Sequence, residues 1–310
     1  MEFKYAFGPV PSRRLGRSLG VNVVPFKTCN YSCVYCQLGR TTCMTNERAD
    51  FFPPEDILSE VREALSLNPE LDYLTFTGEG EPTLCRSLGW LISRSKEISP
   101  VPVAVLTNGS LLYREEVAEA LLGADVVLPS LDAATEPVFE TINRPHRDLK
   151  LRRVIEGLKD FRQAFKGEIW LEVLFCRGIN DGPRDIQALK EAIAEIGPDA
   201  VHLNTVVRPG AEEYASPLSH QKLEEIAREL GEGAEVITSP PRKAPSPPPK
   251  DIKDRILRTL EVRPLTLEDL SRSLGLHEME ALKLLDELTD EGKVGSRIFD
   301  HRIYYEVKAS

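Results

Sequence analysis

Cysteine is scarce in this chain: six among 310 residues, far too few for a secreted disulfide scaffold. No stretch of about 18 consecutive apolar residues occurs, so no helical membrane span is encoded. The segment from Met1 to Val10 lacks an apolar core behind a basic start, so no signal peptide is read there. Excess positive charge is missing too: 39 Lys and Arg stand against 49 Asp and Glu, a formal net charge of −10. A surface of that sign offers a polyanion no general footprint, which speaks against nucleic-acid binding over the whole chain. What remains, 41% hydrophobic and 28% charged residues, is the composition of an ordinary globular protein. A cytoplasmic location without a membrane partner is expected, and the length predicts two domains at about 150 residues each.

Apolar runs rich in β-branched residues alternate with helical periodicities over most of the chain. Strands are expected over 19–26, 72–78, 101–109, 124–132, 168–176 and 199–207. Helices are expected from near Pro54, then over 88–98, 114–123, 149–165, 184–197 and 221–230. Six such repeats predict an α/β fold with a parallel sheet buried on both faces, either a partial barrel or an open doubly wound sheet. In both, the functional loops follow the C-terminal ends of the strands.

Residues 1–238 make up this unit. The stretch 239–250, with six prolines, reads as an extended spacer. Residues 251–310 read as three short helices and a two-stranded ribbon turning near Asp300, the pattern of a small winged helix-turn-helix domain with its turn at Ser271–Leu276. The helix that would read DNA, 277–292, carries Glu278, Glu280, Asp286, Glu287, Asp290 and Glu291 against Lys283 alone. Across 251–310, ten basic side chains face thirteen acidic ones. Phosphates would repel such a helix, which favours a protein contact, dimerisation or a lid; DNA is disfavoured, and RNA stays open through Arg297, Arg302 and Lys308.

Half of the cysteines sit together. Cys29, Cys33 and Cys36 follow the first strand as Cys-x3-Cys-x2-Cys. Three thiolates on one loop can hold three corners of an iron–sulfur cube and leave the fourth iron open. The lesser alternatives are a four-ligand zinc site completed by Cys43 and three unrelated core cysteines.

The motif CNYSCVYC (29–36) resembles the signature of the radical S-adenosylmethionine (radical SAM) superfamily, and the resemblance extends over roughly 7–210. It implies a partial (β/α)6 barrel in which Cys29, Cys33 and Cys36 bind a [4Fe-4S] cluster. It also implies S-adenosylmethionine on the open iron, with Tyr35 against the adenine. GEGEPT (78–83) resembles the glycine–glutamate motif that takes up the methionine ammonium, which points to Gly80 and Glu81, with Glu79 the competing acceptor. TNGS (107–110) and SLDA (130–133) occupy positions that serve the ribose and the methionine carboxylate, hence Asn108, Ser130 and Asp132. RGIND (177–181) matches the looser adenine-contacting segment at Gly178.

The resemblance implies an enzyme that takes one electron from a flavodoxin- or ferredoxin-type donor. S-adenosylmethionine is then cleaved to a 5′-deoxyadenosyl radical that abstracts hydrogen from a small-molecule or protein substrate. Arg144, Arg177 and Arg208 face the same mouth as candidates for an acidic substrate, or are ordinary surface arginines; Asn143, His146 and Asn204 lie beside them in sequence. Arg13, Arg14 and Arg17 either line that mouth or belong to a salt-bridged strand. Cys43, Cys85 and Cys176 are too dispersed for a second cluster, and Cys176 reads best as a core residue. The GPVPSRRLGRS segment (8–18) resembles a large radical SAM subgroup, with wyosine-forming tRNA enzymes more distant. A tRNA-modifying enzyme and a redox-responsive nucleic-acid regulator whose cluster is a sensor are the alternative functions.

Overall fold

All six expected strands form and lie side by side. The computed structural model describes residues 3–68, 70–207, 210–237, 250–262, 264–274, 276–299 and 302–308. Arg208, residues 239–249 of the proline-rich spacer, and Asp300 at the expected ribbon turn lie outside them.

The chain opens with β1 (Ala6–Ser12) and β2 (Gly16–Asn22), followed by the two-residue strands β3 (Thr28–Cys29) and β4 (Cys43–Met44). Next come α1 (Pro54–Leu67), β5 (Tyr73–Thr77), α2 (Leu88–Ile98), β6 (Val103–Thr107), α3 (Glu115–Leu121) and β7 (Val126–Pro129). Two helices, α4 (Glu136–Ile142) and α5 (Leu151–Ala164), precede β8 (Glu168–Phe175). The unit ends with α6 (Pro183–Ile196), β9 (Ala200–Thr205), α7 (His220–Leu230) and β10 (Ala234–Val236).

The sheet order is β1-β2-β5-β6-β7-β8-β9-β10. Every neighbouring pair from β2 onward is parallel, and β1 is antiparallel to β2. Two strands of this sheet were not anticipated. β1 contains Pro9 and Pro11, which an edge strand tolerates because its outer side needs no ladder donors. β10 is three residues long, too short to show periodicity. Helix α4, seven residues with Pro137 in its first turn, was not anticipated either.

Strand β8 shows how the sheet separates two environments. Ile169, Leu171, Val173 and Phe175 are fully buried in the main core beneath the helices. Trp170, Glu172 and Leu174, on the opposite face, are partly exposed. Tyr73 of β5 meets Trp170 edge-on at 6.2 Å across the intervening β6 and β7, so the sheet curls around an interior. Leu15, Ala104, Val126 and Leu128 pack with these two rings to plug its floor. Each fully buried phenylalanine of the outer core, such as Phe161 or Phe175, contributes roughly 1.5–3 kcal/mol.

The C-terminal residues form α8 (Lys250–Val262), β11 (Leu265–Thr266), α9 (Leu267–Leu274), α10 (Glu278–Asp290), β12 (Val294–Phe299) and β13 (Arg302–Val307). The strands make a small antiparallel sheet in the order β11-β13-β12. Helix α9 runs on to Leu274, three residues into the expected turn, and the chain then closes that turn where Leu276 N donates to Ser271 O at 3.0 Å. Ile256, Leu270, Leu285, Leu288 and Val294 centre a separate apolar core, against which Leu38 of the cysteine loop also packs. No helix among the described residues is long and apolar enough to cross a membrane.

Candidate active site

The cysteine loop leaves the sheet after β2 and is held closed where β3 pairs with β4 (Thr28↔Cys43, Cys29↔Met44). Its inner side is strapped to the segment after α4: Ser32 N donates to Asn143 O at 3.0 Å, Val34 N to Ile142 O at 2.9 Å, and His146 N to Asn30 O at 2.8 Å. Each sulfur faces N–H donors. Cys29 Sγ meets Tyr31 N at 3.4 Å and Asn108 Nδ2 at 3.8 Å, Cys33 Sγ meets Asn143 Nδ2 at 3.5 Å, and Cys36 Sγ meets Lys27 Nζ at 3.1 Å.

Burial, with Glu81 nearby, pushes the Cys29 thiol up to about 12. Burial, with Asp132 nearby, pushes Cys33 well above the usual thiol range. Both are therefore neutral at pH 7 until a metal displaces their protons. Burial works to lower the Lys27 ammonium, but the facing thiols, Cys36 foremost, raise it overall. The described residues contain no group of His, Cys, Asp or Glu gathered around one metal ion. Thiolates on separate corners of a cube would not converge on a single ion, and half-buried cysteines whose sulfurs each face an N–H donor fit a thiolate-held cluster.

Glu81 is buried and fully engaged. It accepts from Thr83 N at 3.0 Å, Thr83 Oγ1 at 2.6 Å, Thr107 Oγ1 at 2.5 Å and Asn108 N at 2.7 Å. Its carboxylate thereby ties the loop after β5 to the loop after β6, and its own N–H donates to Thr28 O at 3.0 Å. Gly80 permits that approach: a Cβ there would sit 1.9 Å from the Thr28 carbonyl oxygen, so any side chain would displace the backbone beside Cys29. Asn108 Nδ2 also donates to Asn30 Oδ1 at 2.7 Å, and Asn30 Nδ2 reaches Ser110 Oγ at 2.7 Å.

Asp132, also buried, gathers the other side of the site. It accepts from the Tyr35 hydroxyl, from Asn143 Nδ2 at 2.7 Å and from Leu174 N at 2.9 Å. Burial raises its carboxyl, and these donors work against that rise. Asn180 bridges the Asp132 and Leu174 carbonyls at 2.8 Å each. Ser130 is half-buried and bridges to Glu172 of β8 through the backbone. Gly178 is exposed at φ +74°, where its N–H donates to Asp181 Oδ1 at 2.7 Å, a left-handed turn position that suits glycine.

The structure brings Cys29, Cys33, Cys36, Glu81, Asn108, Asp132 and Tyr35 into one hydrogen-bonded assembly. It leaves Gly178 on its rim. Glu79 points elsewhere, accepting from Asn22 Nδ2 at 3.1 Å and lying 3.8 Å from His277 of the C-terminal unit. Arg144 is bound to Glu212 at 2.5 Å, which Arg40 also grips at 2.8 Å, and Arg177 donates to the Pro217 carbonyl at 2.9 Å. The turn carrying Arg13 and Arg14 lies at the N-terminal end of β2, opposite the cysteine loop; Arg14 enters the barrel interior and pairs with Glu172, and Arg17 pairs with Glu70 at 2.6 Å. Cys85 and Cys176 are core residues, and Cys43 is exposed. Sequence reasoning missed Lys27, Asn30 and Asn180. A lysine two residues before the first cysteine of the motif was the available signal for Lys27; nothing in single-residue chemistry distinguished the two asparagines.

The profile described as Radical SAM superfamily matches residues 23–204. The UPF0026 protein of Methanocaldococcus jannaschii is 36% identical over 319 residues, covering 97% of this chain and 95% of that protein. A Brachyspira hyodysenteriae protein named GTPase Obg is 37% identical over 310 residues, and the chain spans 46% of its length. The solved structure titled native anSMEcpe with bound AdoMet superposes with a TM-score of 0.51 at 18% identity, over 68% of this chain and 58% of that one, and speaks for the fold. The chain therefore belongs to the radical SAM superfamily, as an enzyme whose cofactors are a [4Fe-4S] cluster and S-adenosylmethionine.

Proposed function

We propose that Cys29, Cys33 and Cys36 ligate the cluster and that the loops after β5, β6, β7 and β8 hold S-adenosylmethionine against it. The observation that carries this is the N–H donor facing each sulfur, supplied from Asn108, Asn143 and Lys27 in three different parts of the chain. When bound, the two cofactors supply one-electron cleavage of the carbon–sulfur bond, giving methionine and a 5′-deoxyadenosyl radical. The protein's part is to bind, orient and exclude water. With four donors already on its carboxylate, Glu81 acts as a brace that leaves the backbone carbonyls around Gly80 to receive the methionine ammonium. Asp132 fixes Tyr35 for the adenine, and Asn108 and Ser130 reach the ribose and carboxylate. Gly178 forms the rim of the adenine pocket.

The substrate, a small molecule or a protein segment, enters the barrel interior above the Arg14–Glu172 pair. A flavodoxin- or ferredoxin-type donor supplies the electron. Six cysteines without a disulfide among them, three of them serving as thiolate ligands, fit a reducing, cytoplasmic setting. Residues 1–238 act as the barrel and 251–310 as a docked cap, a winged-helix-like unit that does not read nucleic acid. The start of α10, which would enter a DNA groove, is turned onto β1, where His277 stacks on Phe7. Anaerobic reconstitution with iron, sulfide, dithionite and S-adenosylmethionine tests the reading. Formation of 5′-deoxyadenosine is expected, and its absence from a chain that holds a reducible cluster would sink the enzymatic assignment.

A further inference from the structure

Lys27 differs from the other two donors to the sulfurs in its charge, and its position is heavily specified. It is 4% exposed, and it holds φ +53°, a left-handed conformation that non-glycine residues rarely adopt. Its backbone is held on both sides: its N–H donates to Glu79 O at 2.6 Å, and its carbonyl accepts from Cys43 N at 3.1 Å. That conformation sends the side chain inward, where Nζ lies 3.1 Å from Cys36 Sγ. A cation is thus buried against one of the three sulfurs. The amides of Asn108 and Asn143 that face the other two sulfurs carry no charge.

We propose that Lys27 sets the reduction potential of the cluster through its contact with Cys36. The inference rests on Cys29, Cys33 and Cys36 being the ligands. One-electron reduction takes an electron from an external donor and adds one negative charge to the thiolate–iron assembly, with no proton moved and no bond broken. A fixed ammonium against one ligand sulfur stabilises that added charge more than it stabilises the oxidised form, and so raises the potential. Lys27 is in this sense a positioning residue: it acts through Cys36 and leaves the substrate untouched.

The test is an EPR-monitored redox titration of the reconstituted full chain with dithionite, comparing wild type, Lys27→Met, Lys27→Gln and Lys27→Arg. Lys27→Met is expected to shift the reduced-to-oxidised ratio at fixed potential three- to tenfold toward oxidised, the upper figure being about 59 mV for one electron. Lys27→Arg should return close to wild type. If Lys27→Met loads no iron, Lys27→Gln carries the same comparison, since it retains a polar side chain without the charge. A neutral variant that titrates with the wild-type potential overturns the inference while leaving the ligand assignment standing. A wild-type chain that assembles no cluster overturns the ligand assignment and the inference with it.

Discussion

The imidazole of His277 lies flat on the ring of Phe7, centroids 4.3 Å apart and planes 11° from parallel. This contact joins the first residue before α10 to the edge strand of the barrel, and Glu79 and Glu278 sit beside it. Burial lifts Glu79 to about 7, and burial reinforced by Glu79 lifts Glu278 to about 8. Burial pushes His277 down to about 4.

These shifts predict how docking responds to pH. The two raised carboxyls contribute fully below the ordinary carboxylate range, and their contribution is lost as pH rises through 7 and then 8. The depressed imidazole contributes fully above its ordinary 6.5 and loses its part only as pH falls toward 4. Above 6.5 only the carboxyls change, so α10 should loosen from the barrel between pH 6 and 8. Hydrogen exchange at the first turn of α10, corrected for intrinsic rates, should be faster at pH 8, and Glu79→Gln should flatten that dependence. Equal protection at both values would rule this account out.

Cys33→Ala should abolish the absorbance and iron content of the reconstituted chain, because it removes one of the three proposed ligands from within the loop. Cys43→Ala should leave both intact, since that side chain is exposed on the outer face of the β3–β4 pair. Iron content measured after gel filtration decides the matter. Loss in both variants would point to a four-thiolate site.

Glu81→Ala should cost about 3 kcal/mol of stability, because it strands four donors in a buried place. Denaturant unfolding of the metal-free chain should show a lower midpoint with unchanged slope. Glu81→Gln, which keeps one acceptor oxygen, should lose less. An alanine variant as stable as wild type would remove the bracing role.

Asp132→Asn should weaken S-adenosylmethionine binding by about tenfold, with little loss of iron. The change withdraws the acceptor from Tyr35 and Asn143 but leaves the cysteines in place. Equilibrium dialysis of the reconstituted protein against labelled cofactor measures it. Unaltered affinity would detach Tyr35 from the adenine.

How much of this was legible beforehand differs by element. The six long strands and the cysteine loop were readable because β-branched runs and a three-cysteine spacing are local signals. β1 was hidden because Pro9 and Pro11 read as loop, and only the position at the sheet edge makes them acceptable. The residues at the ends of strands could be located, but what their side chains do could not. Glu81 and Glu79 are two positions apart in one motif, yet one is saturated by Thr83, Thr107 and Asn108 while the other faces His277, some 200 residues downstream. That division is set by tertiary packing, which no periodicity encodes. Arg14 is the same case: a basic run on an acidic chain suggests a surface, and the fold folds one of its members into the barrel interior.

Leu38 stands two residues beyond Cys36 and packs into the core of the C-terminal unit. Thermodynamic linkage follows from that shared side chain. A ligand that tightens the loop in the conformation that seats Leu38 would strengthen the seating of the C-terminal unit by the same free energy that the seated unit adds to ligand affinity. The cysteine loop and the C-terminal unit, separated in sequence by a proline-rich spacer, thus share one side chain through which binding at either would be felt at the other.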